Sequence, residues 1–432
     1  MVEACAKMKT TKLKEQFRRG EYDTRLHDIY LEDNKIEYQR SRYITAIEDF
    51  EALFDNAEVE IYSAPGRSEI GGNHTDHQHG MVLATSVNLD TIAIVERLDS
   101  DEVEVVSKGY APIKIAITDL DKKEAESGKA VALIRGILKG FKERGYQIGG
   151  FRAFTTSDVI AAAGLSSSAC FETLIGTIIA GLYNDMKIDM QEIAQIGQYA
   201  ENVYFDKPCG LMDQMACAVG GLIHIDFANP QVPKVDKIAV DFAKYQYNLC
   251  VVDTKGSHAD LTNDYADIPA EMKAVANYFG KACLREVDET DFYQNIADIR
   301  QRTGDRAVLR TLHFFEEEKV VMEEVAALHT DDFPRFLRLI TQSGNSSYRF
   351  LQNIYSNQDV HSQAVAIALG MSEAILEGHG ACRVHGGGFA GTIQVFVEND
   401  FVQEYKERIE QIFGKASCYV LNIRQYGGIQ VV

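Results

Sequence analysis

The chain has 432 residues, enough for two or three domains. Hydrophobic residues make up 46% of it and charged residues 25%, a balance typical of folded proteins, which excludes disorder as the main state. The 64 acidic residues exceed the 44 basic ones, for a net charge of −20, so the chain repels polyphosphate backbones and we predict no nucleic-acid partner. No run of about 18 apolar residues occurs, so we also predict no membrane partner.

The eight cysteines are scattered, without C-x-x-C or zinc-finger spacing. A chain of this length can build a hydrophobic core without disulfides, so we interpret the cysteines as reduced thiols and predict a cytoplasmic protein. The sequence leaves open whether the protein is a monomer or a dimer.

The predicted elements fall into three parts in chain order. Residues 1–45 are polar and charged and predict a peripheral, solvated helical extension. Strand-like runs and helical periods over residues 46–229 predict a first lobe. A loop signal at Asn229-Pro230 separates it from a second lobe over residues 230–432. The pattern indicates an α+β fold with two lobes.

Within the lobes, strands and helices are predicted from the spacing of apolar residues. Strand-like runs cover 59–63, 82–97, 103–108, 113–117, 151–159, 221–226, 247–253, 391–397 and 417–423. Helical periods cover 130–144, 166–183, 269–279, 307–329, 331–342 and 360–377. The acidic runs 316–318 and 323–324 in the second lobe predict the solvated face of a helix.

Three glycine-containing segments are candidates for ligand binding. Residues 64–77 place polar, charged and glycine residues between two strands, which predicts a ligand loop. Residues 161–169 lie between a strand and a helix, where small residues, free N–H groups and the helix dipole favour an anion. Residues 383–391 form a glycine loop that continues into a strand. An ordinary helix cap or a flexible turn remains an alternative for the last two segments, and no Walker-type or dinucleotide-binding motif occurs.

A second alternative concerns the histidines of the first segment. His74, Asp76, His77 and His79 carry side chains that commonly bind metals. Their spacing matches no closed-site pattern, so a metal cluster is kept only as a minor alternative.

Together the segments resemble the motifs of the GHMP small-molecule kinases, and the first resembles the galactokinase branch. The galactokinase signature G-R-x-N-x-x-G-E-H-T-D-Y corresponds to G-R-S-E-I-G-G-N-H-T-D-H at 66–77. The motif G-x-G-L-S-S-S-A corresponds to 162–169 with one glycine replaced by alanine, and P-C-G-I-M-D-Q to P-C-G-L-M-D-Q at 208–214. The resemblance covers about residues 45–432. It implies the GHMP kinase fold, with mixed β-sheets and helices in two lobes and the active site in the cleft between them.

The resemblance further implies an ATP- and Mg²⁺-dependent kinase that phosphorylates the C1 hydroxyl of D-galactose. Asp213 would take the hydroxyl proton, and Arg67 would hold this carboxylate ionised and stabilise the phosphoryl charge. Residues implied to contact the sugar are Glu69, Asn73, His74, Asp76, Gly210 and Tyr265. Residues implied to wrap the ATP phosphates are Ala163, Gly164, Leu165, Ser166, Ser167 and Ser168. Ser168 and Glu201 would bind Mg²⁺.

Two positions depart from the signature. Asn73 stands where the family has the Glu that meets the C6 hydroxyl, and Glu69 stands where the family has Asn. An amide at the first position removes a charge that would repel a sugar acid, so another galacto-configured sugar, chiefly D-galacturonate, is an alternative substrate. A galactokinase-like sensor that binds ATP and sugar without turnover is a further alternative.

Overall fold

The computed structural model describes residues 7–159, 164–256 and 261–432 and has the predicted α+β class, with one nine-stranded and one four-stranded sheet. The strands are β1 (Met8–Lys9), β2 (Glu58–Gly71), β3 (Met81–Arg97), β4 (Glu102–Ser107), β5 (Ile113–Ala116), β6 (Phe151–Ser157), β7 (Leu222–Asp226), β8 (Lys234–Ile238), β9 (Tyr247–Asp253), β10 (Gly380–His385), β11 (Thr392–Glu398), β12 (Cys418–Leu421) and β13 (Ile429–Gln430). The α-helices are α1 (Thr10–Arg18), α2 (Asp23–Tyr30), α3 (Ile36–Phe54), α4 (Ala130–Glu143), α5 (Ser167–Asn184), α6 (Met190–Tyr199), α7 (Met212–Val219), α8 (Thr262–Tyr278), α9 (Glu289–Gln294), α10 (Ile296–Thr303), α11 (Asp305–His329), α12 (Phe333–Ser346), α13 (Ala364–Leu376) and α14 (Val402–Phe413).

The long hairpin of β2 and β3 is the centre of the large sheet. The sheet has the order β1-β2-β3-β6-β4-β5. In addition, β7 pairs with the N-terminal end of β3, and β13 pairs with β2. All pairs are antiparallel except β4 with β6. The register of β2 against β3 shifts between Pro65 and Arg67 and again between Glu69 and Gly71. Such bulges change the direction in which a strand's side chains point, and here they lie at the residues of the first glycine-containing segment.

Residues 7–54 pack against this sheet through buried side chains, so the prediction of a peripheral, solvated extension was wrong. Leu13 and Phe17 of α1 are fully buried in one cluster with apolar residues of β2 and β3. Arg42 of α3 donates to the buried carboxylate of Asp90 on β3 at 2.6 Å, and Tyr30 donates to the same carboxylate at 2.8 Å. The composition of this segment does not reveal the packing, because only a few apolar residues make the contact. They are spaced four apart on a helix that is otherwise charged.

The small sheet has the order β10-β11-β9-β12 and is antiparallel throughout. Helices α13 and α14 bury its apolar side chains in one cluster, and α12 packs near β10. The chain crosses the predicted boundary at residue 230 more than once, because β8 and β13 both belong to the large sheet. The division of the chain into 1–45, 46–229 and 230–432 therefore stays a prediction.

Helix α11 contacts both strands of the β2–β3 hairpin, and two residues of its acidic runs do not lie on the solvated face that the sequence predicted. Glu317 and Glu324 are fully buried. Glu317 Oε1 accepts hydrogen bonds from the N–H of Gly72 at 3.0 Å and from Ser343 at 2.6 Å. Burial, and then the charge of Glu317, raise the pKa of Glu324 well above its usual range. These residues support the loop that follows β2, which a run of acidic letters does not reveal.

Candidate active site

A polar cavity of about 400 Å³ brings together residues from three of the segments singled out in the sequence. It is lined by Arg67, Glu69, His74, Asp76, His77, Lys207, Pro208, Cys209, Gly210, Met212, Asp213, Tyr265, Gly386 and Gly387. These residues come from β2 and the segment after it, from the loop before α7 and the start of α7, from α8 and from the loop between β10 and β11. The predicted catalytic pair and five of the six predicted sugar contacts are therefore neighbours in space.

Arg67 and Asp213 form a two-pronged ion pair in the wall of this cavity. Arg67 Nε lies 2.7 Å from Asp213 Oδ1, and Arg67 Nη2 lies 2.8 Å from Asp213 Oδ2. Ser166, which has a left-handed backbone with φ of 54°, donates its hydroxyl to Asp213 Oδ2 at 2.7 Å. Burial acts to raise the pKa of Asp213, but Arg67 and Ser166 outweigh it and hold that pKa below its usual range. Asp213 is thus ionised, with 31% of its side chain exposed.

A second carboxylate, Asp76, lies in the wall where the segment after β2 meets the loop before α7. Asp76 lies against Gly210, and a Cβ at position 210 would collide with the Asp76 carboxylate. A larger residue here would force the Asp76 carboxylate to move. Asp213 follows three residues later in the first turn of α7, a position where the helix dipole favours a negative charge.

The glycine loop between β10 and β11 forms another part of the wall. His74 Nε2 lies 3.0 Å from the carbonyl oxygen of Gly387, and Tyr265 donates its hydroxyl to the carbonyl oxygen of Gly388 at 2.8 Å. Burial lowers the pKa of His74 to about 4, so the imidazole is neutral. Because Nε2 faces a carbonyl oxygen, it carries the proton, and Nδ1 is left as a hydrogen-bond acceptor.

The two positions that depart from the signature form a hydrogen-bonded pair. Asn73 Nδ2 donates to Glu69 Oε1 at 2.9 Å and to the carbonyl oxygen of Gly386 at 2.7 Å. Asn73 Oδ1 accepts from Asn353 at 2.8 Å. The buried guanidinium of Arg383 donates to the same Glu69 oxygen at 2.6 Å. Burial raises the pKa of Glu69 to about 7, and Arg383 offsets only part of this effect.

This geometry corrects the expected role of Asn73. The residue is fully buried, its amide is bonded to protein on both sides, and it is absent from the cavity wall, whereas Glu69 lines it. The wall therefore keeps a carboxylate next to Asn73. Arg383, which orders that carboxylate, was not singled out as a site residue, although the sequence places it at the start of the third glycine segment.

The predicted phosphate segment borders this cavity. Ala163 lies outside the described residues. The carbonyl oxygen of Gly164 accepts from Arg67 Nη1, and that of fully buried Leu165 accepts from the Arg67 N–H at 3.1 Å. Ser167 and Ser168 are partly exposed in the first turn of α5. Ser166 and Leu165 thus hold Asp213 and Arg67 in place through hydrogen bonds of their own.

Oxygen atoms suited to a hard divalent cation lie next to the cavity. Glu201 is buried, and its two oxygens accept from Lys207 Nζ at 2.7 Å and from Gln214 Nε2 at 2.8 Å. Glu172 accepts from the same Gln214 amide at 3.0 Å, while its other oxygen is buried without a protein partner. This set of oxygen donors fits Mg²⁺. Lys207, whose ammonium lies on Glu201, had not been singled out in the sequence.

The alternative metal cluster in the first segment is not formed. No group of three or more His, Cys, Asp or Glu side chains placed to hold a metal ion occurs within 7–159, 164–256 and 261–432. His79 Nδ1 lies 3.4 Å from Cys283 Sγ, and His74 is hydrogen-bonded to the glycine loop.

Within the described residues, no helix is long and apolar enough to cross a membrane.

Comparisons with known proteins agree with the fold. The galactokinase galactose-binding signature matches residues 48–97, and the GHMP kinases N terminal domain matches residues 132–221. A galactokinase of Glaesserella parasuis is 30% identical over 85% of this chain and 92% of its own length. A galactokinase of Streptomyces coelicolor is 28% identical over 86% of this chain and 93% of its own length.

Solved structures show the same architecture. Lactococcus lactis galactokinase complexed with galactose superposes with a TM-score of 0.76 at 22% identity, over 90% of this chain and all of that one. Methanococcus jannaschii mevalonate kinase superposes with a TM-score of 0.59 at 15% identity, over 84% of this chain and 98% of that one. The fold is that of a GHMP kinase. Within that class, the matched signature and the relatives show that the chain belongs to the galactokinase family.

Proposed function

We propose that this protein transfers the γ-phosphoryl group of ATP to the C1 hydroxyl of D-galactose, giving galactose 1-phosphate and ADP. One observation carries the proposal: an ionised carboxylate, Asp213, is fixed by Arg67 and Ser166 in the wall of a polar cavity that the galactose signature lines. Phosphoryl transfer depends mainly on positioning and on electrostatic stabilisation, and this site supplies both.

In the reaction, Asp213 orients the C1 hydroxyl by accepting its hydrogen bond. The hydroxyl oxygen forms a bond to the γ-phosphorus, the bond from that phosphorus to the bridging oxygen breaks, and its electron pair leaves with ADP. The hydroxyl proton passes to Asp213. Because Arg67 keeps the pKa of Asp213 low, the carboxylate is a weak base that takes the proton late, when the new bond to phosphorus has acidified the hydroxyl.

The remaining roles are also proposals. Glu69, the Nδ1 atom of His74, and Asp76 would accept hydrogen bonds from sugar hydroxyls, and the hydroxyls of Ser167 and Ser168 would meet the ATP phosphates. Ser168 and Glu201 would hold Mg²⁺, which neutralises phosphate charge when bound. The described cysteines are free thiols, which supports a cytoplasmic location.

The structure gives no support to the galacturonate alternative. That alternative requires an uncharged wall where the sugar's C6 group lies, because a second carboxylate repels a sugar acid. The Glu69 carboxyl group lines the cavity next to the buried amide of Asn73, so an acidic group, ionised above its pKa of about 7, remains in the wall. The sensor alternative has no support either, because the catalytic pair is intact and the relatives are galactokinases.

The test is release of ADP by the purified protein with ATP and Mg²⁺, with D-galactose, D-galacturonate or L-arabinose as acceptor. Galactose should be the best acceptor. Asp213→Asn should lower kcat at least about 100-fold, because the amide cannot take the proton, while galactose still binds in calorimetry. Asp206→Asn, the same change at an exposed position in the preceding loop, is the control. Full activity of Asp213→Asn, or preference for galacturonate, would contradict the proposal.

A further inference from the structure

Acidic side chains outnumber arginine and lysine side chains in the wall of the cavity. Among the described residues that line it, Glu69, Asp76 and Asp213 are acidic, while Arg67 and Lys207 are the only arginine or lysine side chains. A triphosphate brought next to these carboxylates is repelled unless a cation faces it. Arg67 and Lys207 are the two basic side chains of the wall that can supply this positive charge.

Arg67 is fully engaged by the protein. Its Nε and Nη2 bind Asp213, its Nη1 binds the carbonyl oxygen of Gly164, and only 8% of its side chain is exposed. Arg67 can offer a phosphate oxygen only one edge of its guanidinium. To bind more strongly, it would have to release Asp213. Arg67 therefore sets the charge and orientation of Asp213 and has little left for the nucleotide.

Lys207 is placed differently. Its Nζ makes one described contact, 2.7 Å from Glu201 Oε1, and 58% of its side chain is exposed. An ammonium has three donors on a flexible stem, so two donors remain for other partners. Its backbone is fixed, since the Lys207 N–H donates to the carbonyl oxygen of Glu201 at 3.1 Å. Lys207 thus combines an anchored backbone with a mobile charge in the cavity wall.

We propose that Lys207 is a catalytic residue that binds the transferring phosphate of ATP. This inference rests on the proposed kinase function. When a divalent cation occupies Glu201, the Lys207 ammonium turns from that carboxylate to a γ-phosphate oxygen, keeps its proton throughout, and stabilises the negative charge of the transferring group. Without the cation, Lys207 neutralises Glu201.

The experiment compares Lys207→Met, which keeps the stem and removes the charge, with Lys207→Arg and with a control. Lys122→Met is the matched control, because Lys122 pairs with Asp206, the residue before Lys207, and does not line the cavity. Lys207→Met should lower kcat/KM for ATP about 10- to 100-fold, as expected for a charge-assisted hydrogen bond, and leave KM for galactose within about twofold. Lys207→Arg should recover part of the loss.

Binding is measured separately by calorimetry with a non-hydrolysable ATP analogue at several Mg²⁺ concentrations. Lys207→Met should weaken binding of the analogue most at high Mg²⁺, where the lysine has left Glu201. If wild type phosphorylates galactose and Lys207→Met keeps kcat/KM for ATP within twofold, or changes only KM for the sugar, the inference is wrong. If wild type phosphorylates no sugar, the proposed function itself fails.

Discussion

Glu69 and Asn73, which are exchanged relative to the signature, are predicted to be coupled in their effect on stability. Glu69→Asn removes the carboxylate that Arg383 binds, and Arg383 is fully buried. Leaving a buried charge without its partner costs about 3–5 kcal/mol. Asn73→Glu puts a second carboxylate against the first, since Asn73 Nδ2 lies 2.9 Å from Glu69 Oε1. Two charges at about 4 Å repel by about 4 kcal/mol at an effective dielectric of 20.

The double variant, Glu69→Asn with Asn73→Glu, restores one carboxylate and one amide to the site. We expect the free energy of unfolding to recover, so that the double variant is more stable than the sum of the single losses predicts by at least about 2 kcal/mol. Urea unfolding at pH 8 is the measurement, because Glu69, with a pKa of about 7, is then ionised. Asn73→Asp adds the charge without enlarging the side chain. Its loss of stability measures the repulsion alone, whereas the loss in Asn73→Glu also includes overpacking.

The KM for galactose is a second measurement on the same variants. Glu69→Asn alone should raise KM for galactose about 10-fold or more, since a hydrogen bond from a sugar hydroxyl to a carboxylate contributes about 1.5–3 kcal/mol. The exchange variant should regain part of this affinity. Stability losses that add within about 0.5 kcal/mol in the double variant would refute the coupling, and an unchanged KM for Glu69→Asn would refute the sugar contact.

Three further predictions concern other parts of the fold. Gly210→Ala should abolish galactose binding in calorimetry with little loss of nucleotide binding, because its Cβ displaces the Asp76 carboxylate; normal sugar affinity would show that Asp76 is not a sugar contact. Phe17→Ala should lower the free energy of unfolding by about 3–5 kcal/mol in urea titrations, and a loss below 1 kcal/mol would mean that the first helix is not part of the core. Because the folded-state pKa of Glu324 is raised, the stability it contributes at low pH is lost as pH rises through that pKa. Between pH 5 and 8, Glu324→Gln should therefore remove a slope of up to about 1.4 kcal/mol per pH unit, while the exposed control Glu323→Gln leaves the slope unchanged.

Short stretches of sequence were enough to select several site residues and elements. The resemblance to the galactokinase motifs singled out Arg67, Asp213 and Ser166, and the structure joins these three side chains by hydrogen bonds. The helix predicted over 130–144 is α4, and the strand predicted over 391–397 lies within one residue of β11. These features depend on neighbours in the chain, so local patterns determine them.

The structure alone decided which side chains face the cavity and which lie beneath it. Glu69 lines the wall and Asn73 does not because Arg383, 314 residues after Glu69, and the glycine loop that follows it bind the pair from the other sheet. Glu317 and Glu324 look solvated in the sequence, yet α11 turns them toward the hairpin of the large sheet. Burial and partners across the fold set the charge and the accessibility of such residues, and no local pattern carries that information.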